Sequence, residues 1–384
     1  MRTHTQTAVL LLCLAGLATA QPGGPAPTKA NPAGTPASAP GANPGGSPAT
    51  MGGGIKLEQV KPYSNIEKSQ LRERSLALLQ ELARSDNALL RANAIEGLQP
   101  APARCEPLVR AGLTDDNIGV RFASAMTVGR LKLKSSAPLV RPLLSDTDPS
   151  VRAAAIFALA RTGQSVDQTE LASMLMSGDL RARSNAAYIL GELGNPSAVP
   201  MLRDAARQSA PAEAPIGVRL FRLQLAEALV KLGDKASSDV IEAALYPSNR
   251  DDFEAAVLAA QIIGEVKIEK AAGQLVNLIE MQPAGSPKAA DPRQGVYLQP
   301  RELRLAAAAS MAKLGYFGGW YVGDTYASDP DVPVRAQAAF VLGATAKRET
   351  VNASIARLEK MLDDDNPMVQ CSAAAAMLKM LERG

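Results

Sequence analysis

The sequence predicts an all-α fold, a right-handed α-solenoid (superhelix) of about nine helix pairs. Three observations predict it. A phrase recurs at near-constant spacing, apolar residues inside the phrase follow a helical period, and aromatic residues make up only 4% of the chain. That aromatic content is low for packed sheets and natural for an Ala- and Leu-rich helical protein.

The first twenty residues, MRTHTQTAVLLLCLAGLATA, read as an export signal: Arg2 is the positive start, Ala8 to Ala18 the apolar run, and Ala18-Thr19-Ala20 a small-x-small cleavage site. The run is too short to span a bilayer of roughly 30 Å as a helix. Cys13 follows Leu12, which is the wrong neighbour for lipid attachment. The expected location is across the inner membrane, periplasmic or extracellular. Residues 21–54 hold eight Pro and nine Gly with Lys29 as the single charge, so they cannot bury enough apolar surface to order themselves. They are expected to form a disordered linker with a reach of roughly 30 Å, leaving 55–384 as the solenoid.

Within that body, 151–163 reads VRAAAIFALARTG, 182–194 ARSNAAYILGELG, 303–315 LRLAAAASMAKLG and 334–346 VRAQAAFVLGATA. Aligning each copy on its Arg position gives Arg91, Arg121, Arg152, Arg183, Arg222, Phe253, Arg304, Arg335 and Gln370, with an interval of 31 residues four times and 30 once. A fixed period in this range means stacked repeats. Apolar residues one before the anchor and three, four, seven and ten after it form one helical stripe. The third position is small, as at Ala155, Ala186 and Ala338, so that helices approach closely; the seventh is larger, as at Leu159, Leu190 and Leu342. Gly163, Gly194, Gly233 and Gly315 follow as C-terminal caps. Turns rich in Asp, Asn and Pro precede the anchors, for example Asp146-Thr147-Asp148-Pro149 and Asp329-Pro330-Asp331, and supply N-caps. A shorter amphipathic segment lies before each turn, so the unit is helix, turn, helix, turn.

The wording Asp-x-Asp-x-x-Val-Arg-x-x-Ala-Ala-x-Ala-Leu-Gly, best preserved at Asp146 to Gly163 and Asp329 to Gly343, resembles the HEAT repeat, and more narrowly the short bacterial repeat named after phycobilisome lyases. The resemblance covers roughly residues 66 to 384. It implies a ladder in which turn Asp and helix Arg link adjacent repeats. Asp116, Arg121, Asp148, Arg152, Arg183, Asp331 and Arg335 occupy the ladder positions, with interruptions expected at Phe253 and Gln370. It also implies that the second helices line a concave surface, presenting positions one, two, five and eight past the anchor. Relatives of this repeat include phycobilin lyases and di-iron deoxyhypusine hydroxylases, so a lyase or oxidoreductase reading follows from the family alone.

The residues themselves argue against catalysis. The only histidine, His4, lies in the leader, which excludes Ser-His-Asp triads, Cys-His pairs and His-ligated zinc or di-iron centres from the mature chain. No catalytic residue, cofactor site or metal site is predicted. Asp363-Asp364-Asp365-Asn366 could suggest calcium, but the sixth and twelfth positions are Met368 and Ala374, where a calcium loop needs Gly and Glu. A net charge of +3 does not suit a nucleic-acid binder. Cys105 and Cys371 fall in the first and last copies, so an extended stack puts them tens of Å apart, beyond disulfide reach.

Two insertions break the period, one around Ser209 to Gly217 and one at Pro283 to Pro300 containing Lys288, Arg293 and Tyr297. The second precedes YFGGWYVGDTY at 316–326, which holds five of the fourteen aromatic residues. Tyr297, Tyr316, Phe317, Trp320, Tyr321 and Tyr326 are the partner-binding candidates, although the segment also fills the slot of an ordinary first helix. The expected function is an exported, non-catalytic, monomeric scaffold or adaptor that binds a protein partner, on the concave face or on these loops.

Overall fold

The computed structural model describes residues 60–208, 215–247, 252–287, 289–347 and 349–382. The leader at 1–20, the linker at 21–54 and most of the first insertion lie outside the described residues, as does Lys288.

The nine expected helix pairs are present, and among the described residues there is no strand. The pairs are α1 (Asn65–Leu82) with α2 (Ala88–Gly97), α3 (Pro102–Gly112) with α4 (Ile118–Leu131), and α5 (Ala137–Val140) with α6 (Pro149–Arg161). Next come α7 (Thr169–Leu175) with α8 (Leu180–Leu193), α9 (Val199–Arg207) with α10 (Pro215–Lys231), and α11 (Ser238–Ala243) with α12 (Phe253–Val266). The last three are α13 (Ala272–Glu280) with α14 (Arg301–Lys313), α15 (Trp320–Tyr326) with α16 (Val332–Thr345), and α17 (Val351–Met361) with α18 (Pro367–Leu381). In pair three the first helix shrinks to a single turn flanked by 3-10 turns, where Pro138 and Pro142 interrupt it.

Local chemistry sets the helix ends. Asn87, Asn117, Asp148, Asp179 and Asn366 each accept the backbone N–H two residues on, capping the even-numbered helices that follow. Gly163, Gly194, Gly233 and Gly315 take positive φ at the C-termini, as their position in the phrase predicts. Lys132 and Lys267 take the same left-handed conformation at φ 52 and 57. Lys132 stands eleven residues past its anchor, where the glycines stand. The same spacing applied to Lys267 moves the sixth anchor from Phe253 to Ala256. That correction also aligns Gly264 with Gly129, eight residues past their anchors. A Cβ at Gly264 would lie 2.7 Å from Ser310 Cα, and one at Gly129 2.5 Å from the Phe157 ring. The glycine is what lets consecutive even-numbered helices touch backbone to backbone.

These even-numbered helices are buried almost all round. In α6 every residue from Val151 to Leu159 except Arg152 is buried. Each packs on its predecessor and successor in the even series from α2 to α18, and α18 in turn packs on both α1 and α2. The stack therefore closes into a ring rather than ending as an open arc, which sequence periodicity does not reveal. Closure also overturns two expectations. Concave-face positions such as Phe122, Met126, Ala153, Phe157 and Leu223 are buried, not presented in an open groove. Cys105 and Cys371 do not sit at opposite ends: Cys105 Sγ donates to the Ile95 carbonyl on α2, and Cys371 lies on α18, which packs against α2. Both thiols are free and buried, and burial pushes each up to about 12.

Gly129→Ala should destabilise the fold by about 1–3 kcal/mol, because the added methyl meets a fixed aromatic ring. Urea unfolding of the variant against wild type measures this, and an unchanged midpoint would contradict the close packing.

Candidate functional site

The most function-like residues in the sequence are the charged turn and helix positions, and the structure uses them to join repeats. Arg91 donates Nε and Nη2 to the two carboxylate oxygens of Asp115 at 2.9 and 2.7 Å. Arg121 grips Asp146 in the same way at 2.8 and 3.0 Å, and Arg335 grips Asp364 at 2.9 Å twice. Each of these arginines also donates Nη1 to the carbonyls five and six residues before it, tying its own turn. Such bidentate pairs are among the stronger charged contacts. Burial would raise the Asp146 carboxyl, but the Arg121 hydrogen bond and charge hold it below the ordinary carboxylate range.

The register of the ladder differs from the family expectation. The acceptor is the first carboxylate of the turn, at Asp115 and Asp146, not Asp116 or Asp148. That first carboxylate can accept both the incoming arginine and the N–H two residues on, whereas the third residue is occupied as helix cap. Asp148 pairs with Arg181, Asp331 with Arg301, and Arg152 with Glu170. Arg183 leaves the ladder: it is buried, stacks on Phe221 at 4.5 Å and donates to the Ala205 carbonyl. At Gln370 the ladder is interrupted as expected, and the side-chain amide donates only to the Asp364 carbonyl of its own turn. Asp363 to Asn366 thus serve as ladder acceptor and helix cap. Among the described residues no group of three His, Cys, Asp or Glu side chains could hold a metal ion.

The second insertion and the aromatic pair form one module. Arg293 in the insertion pairs with Asp291 and with Asp324 of α15, and Arg357 of α17 reaches the other oxygen of Asp324 at 2.7 Å. Arg293 holds the Asp291 carboxyl below its ordinary range. Tyr297 lies flat over the Arg304 guanidinium, 3.4 Å from its ring centre, while the Tyr326 hydroxyl accepts from Arg304 Nη1 at 2.6 Å. Trp320 is buried and its indole N–H donates to Ser354 Oγ at 2.9 Å. Tyr321 is half-buried, and burial, reinforced by Tyr297, raises its hydroxyl above the ordinary tyrosine range. Phe317 is half-buried beneath Lys347 at 4.9 Å. Tyr316 alone of the six candidates is well exposed, at 54%. The structure brings Tyr297, Tyr321 and Tyr326 together around Arg304, and places Tyr316 and Phe317 at the opposite end of α14.

Sequence reading did not single out the inner wall of the ring. Arg130 reaches from α4 past α6 to the Tyr188 hydroxyl on α8 at 2.8 Å, and pairs with Glu96 of α2 at 2.9 Å. Lys231 bridges Glu192 and Glu227, and Lys313 meets Glu265. All of these residues stand five or nine past their anchors, with the sixth anchor taken as Ala256. Burial raises the Glu96 carboxyl to about 7, against the opposing pull of Arg130. Burial raises Glu227 likewise, against Lys231.

A family model for HEAT repeats matches residues 75–160 and 137–214. The chain carries HEAT repeats. A search of curated proteins finds no match. Among solved structures, the chain is similar to an engineered protein at 17% identity, covering 84% of this chain and 97% of that one with a TM-score of 0.33. The complex of CpcE and CpcF of phycocyanin lyase from Nostoc sp. PCC7120 is 16% identical, covering 66% of this chain and 94% of that one, TM-score 0.35. Human deoxyhypusine hydroxylase in complex with glycerol is 15% identical, covering 82% and 99%, TM-score 0.35.

Two outcomes are expected here. Trp320→Ala should cost about 3–5 kcal/mol of stability as an aromatic core truncation; a wild-type melting curve would return Trp320 to the surface. For Glu96, the folded chain between about pH 4.5 and 7 retains a proton that the unfolded chain has lost, so stability falls as pH rises through that window. Glu96→Gln should remove that dependence, so wild type should lose on the order of 1–3 kcal/mol relative to the variant from about pH 5 to pH 8. Parallel pH profiles would refute it.

Proposed function

We propose that this chain is an exported, non-catalytic adaptor whose HEAT-repeat body holds a protein partner. The observation that carries this reading is how the charged side chains are used. The bidentate Arg–Asp contacts join one helix pair to the next, and the buried carboxyls of Glu96 and Glu227, both raised by burial, sit in packed walls. A leader-like start and a spacer-like segment 21–54 support export ahead of a rigid body. Family transfer of a lyase or oxidoreductase activity finds no support in the residues, since the mature chain lacks histidine.

The partner surface we favour is the corner around Gly315 to Gly319. There Tyr316 stands out from the ring, Phe317 shelters beside it under Lys347, and a Cβ at Gly318 would meet open space. Tyrosine on a rigid turn offers large contact area at low entropy cost, which suits a binding anchor. Trp320, buried and held by its hydrogen bond to Ser354, follows that corner directly in the chain.

The test is crosslinking of the exported protein in its producing cells, followed by identification of the captured protein and by binding with purified components. Tyr316→Ala should weaken that binding at least about tenfold, the loss expected of a hot-spot tyrosine, with an unchanged melting temperature. Equal affinity would remove this corner from the reading. A pigment or metal that co-purifies stoichiometrically with the mature chain would overturn the adaptor itself.

A further inference from the structure

We infer that the Tyr316 corner is covered by the chain's own proline-rich stretch, residues 32–48, which thereby competes with any partner for the site. The inference rests on the reading of that corner as a binding anchor.

Topology brings the stretch and the corner to one rim of the ring. Consecutive even-numbered helices meet at a constant register and therefore run parallel: Gly191 faces Ala228, and Gly343 faces Ala376, in each case eight and six past their anchors. Every odd-numbered helix consequently starts at the same rim. The chain enters α1 there through residues 60–64, and enters α15 there through the corner at 315–319. Between the two in the ring stands α17 of the ninth pair, and the entering chain is tied to it. The Tyr63 backbone N–H donates to Asn352 Oδ1 at 3.3 Å, and its hydroxyl donates to Glu359 at 2.6 Å. Lys347 lies five residues before Asn352, hence no more than about 18 Å away, and its Nζ is 4.9 Å from the Phe317 ring centre.

Reach and chemistry both suit this occupant. Pro40, the middle of the stretch, is 20 residues before Val60, and a coil of that length spans roughly 25 Å. Tethering at this range gives an effective concentration on the order of 1 mM, so a contact of about 1 mM affinity holds the corner about half the time. Pro32, Pro36, Pro40, Pro44 and Pro48 recur every four residues, and the only other apolar side chains between them are alanines. Tyr316 is 54% exposed, and a Cβ at Gly315 or Gly318 would meet nothing within 4 Å. An open tyrosine face is what proline-rich segments dock on, because their extended form loses little entropy when bound. The even spacing offers several equivalent registers. A partner must displace the stretch, which lowers its apparent affinity by the fraction of time the corner is free.

Amine crosslinking of the full chain tests this, with Lys29 as the reporter, three residues before Pro32. Lys347 and Lys360 are both exposed, and Lys360 adjoins Glu359, where the entering chain is tied. A docked stretch should link Lys29 to Lys347 at least about threefold more than to Lys360. Tyr316→Ala should bring that ratio to about one, as should Pro32→Ser, Pro36→Ser, Pro40→Ser, Pro44→Ser and Pro48→Ser combined. The five-proline variant should also nitrate Tyr316 about twofold faster than wild type, as release of a half-covered ring requires. A wild-type ratio near one, with equal nitration in the two proteins, would overturn the inference. If Tyr316→Ala still weakened partner binding in that case, the corner would stand as partner site without an internal competitor. A docked stretch together with partner binding indifferent to Tyr316→Ala would uphold the intramolecular contact and remove the partner from the corner.

Discussion

A HEAT-type helix pair has two apolar flanks and can cover both only with neighbours. That constraint governs nearly everything else in this molecule. It demands small residues where even-numbered helices meet, which is why Gly129 and Gly264 recur at one register and why Ala occupies the third position of the phrase. It also creates a problem at the ends of any stack, where one flank faces water. Repeat proteins ordinarily meet that with terminal pairs of polar outer face. Here the ninth pair covers the first, so each acts as the other's cap. The price of that arrangement is a concave side turned inward and filled with buried, mutually paired charges instead of an open groove.

Buried ionic contact is a poor source of net stability but a good source of register. The Arg–Asp rungs at Arg91, Arg121 and Arg335 fit this description. Each arginine binds its own turn carbonyls and the next turn's carboxylate together, so it measures the offset between pairs. Anchor arginines also leave the ladder. Arg301 engages Asp329 of the next turn while Arg304 turns inward under Tyr297, whereas Arg183 stacks on Phe221 and neighbouring Arg181 reaches back to Asp148 of the preceding turn. Both departures occur beside the two insertions. The added loop after α13 supplies Tyr297 as a cover for a guanidinium that has no carboxylate partner among the described residues.

Much of this was legible in the sequence. Helix positions, caps and repeat number follow from period and turn chemistry, because both are encoded within one repeat. The shared location of the second insertion and the aromatic segment followed from their adjacency in the chain. Ring closure was not legible: it depends on the small rotation added at each joint, and no single repeat reveals the sum. The separation expected for Cys105 and Cys371 failed for that reason, as did the open concave face. The sixth register was missed because Phe253 imitates an anchor three residues early, and only the left-handed Lys267 exposes the shift. Whether Trp320 faced water or the core was open in the sequence, since an aromatic in a first-helix slot can do either; Ser354, a residue of the next pair, decides it.

Closure makes the order in which the helices are written down nearly arbitrary. Arg72 of the first helix meets Glu382 just beyond the last, so the polypeptide enters and leaves the body at the same edge. A short bridge there, with new ends cut between α9 and α10 where the repeat is already lengthened, would give a circular permutant with the same set of neighbours. The same geometry means that cargo fused to either end of the body would hang from one side, leaving the rest of the rim unobstructed.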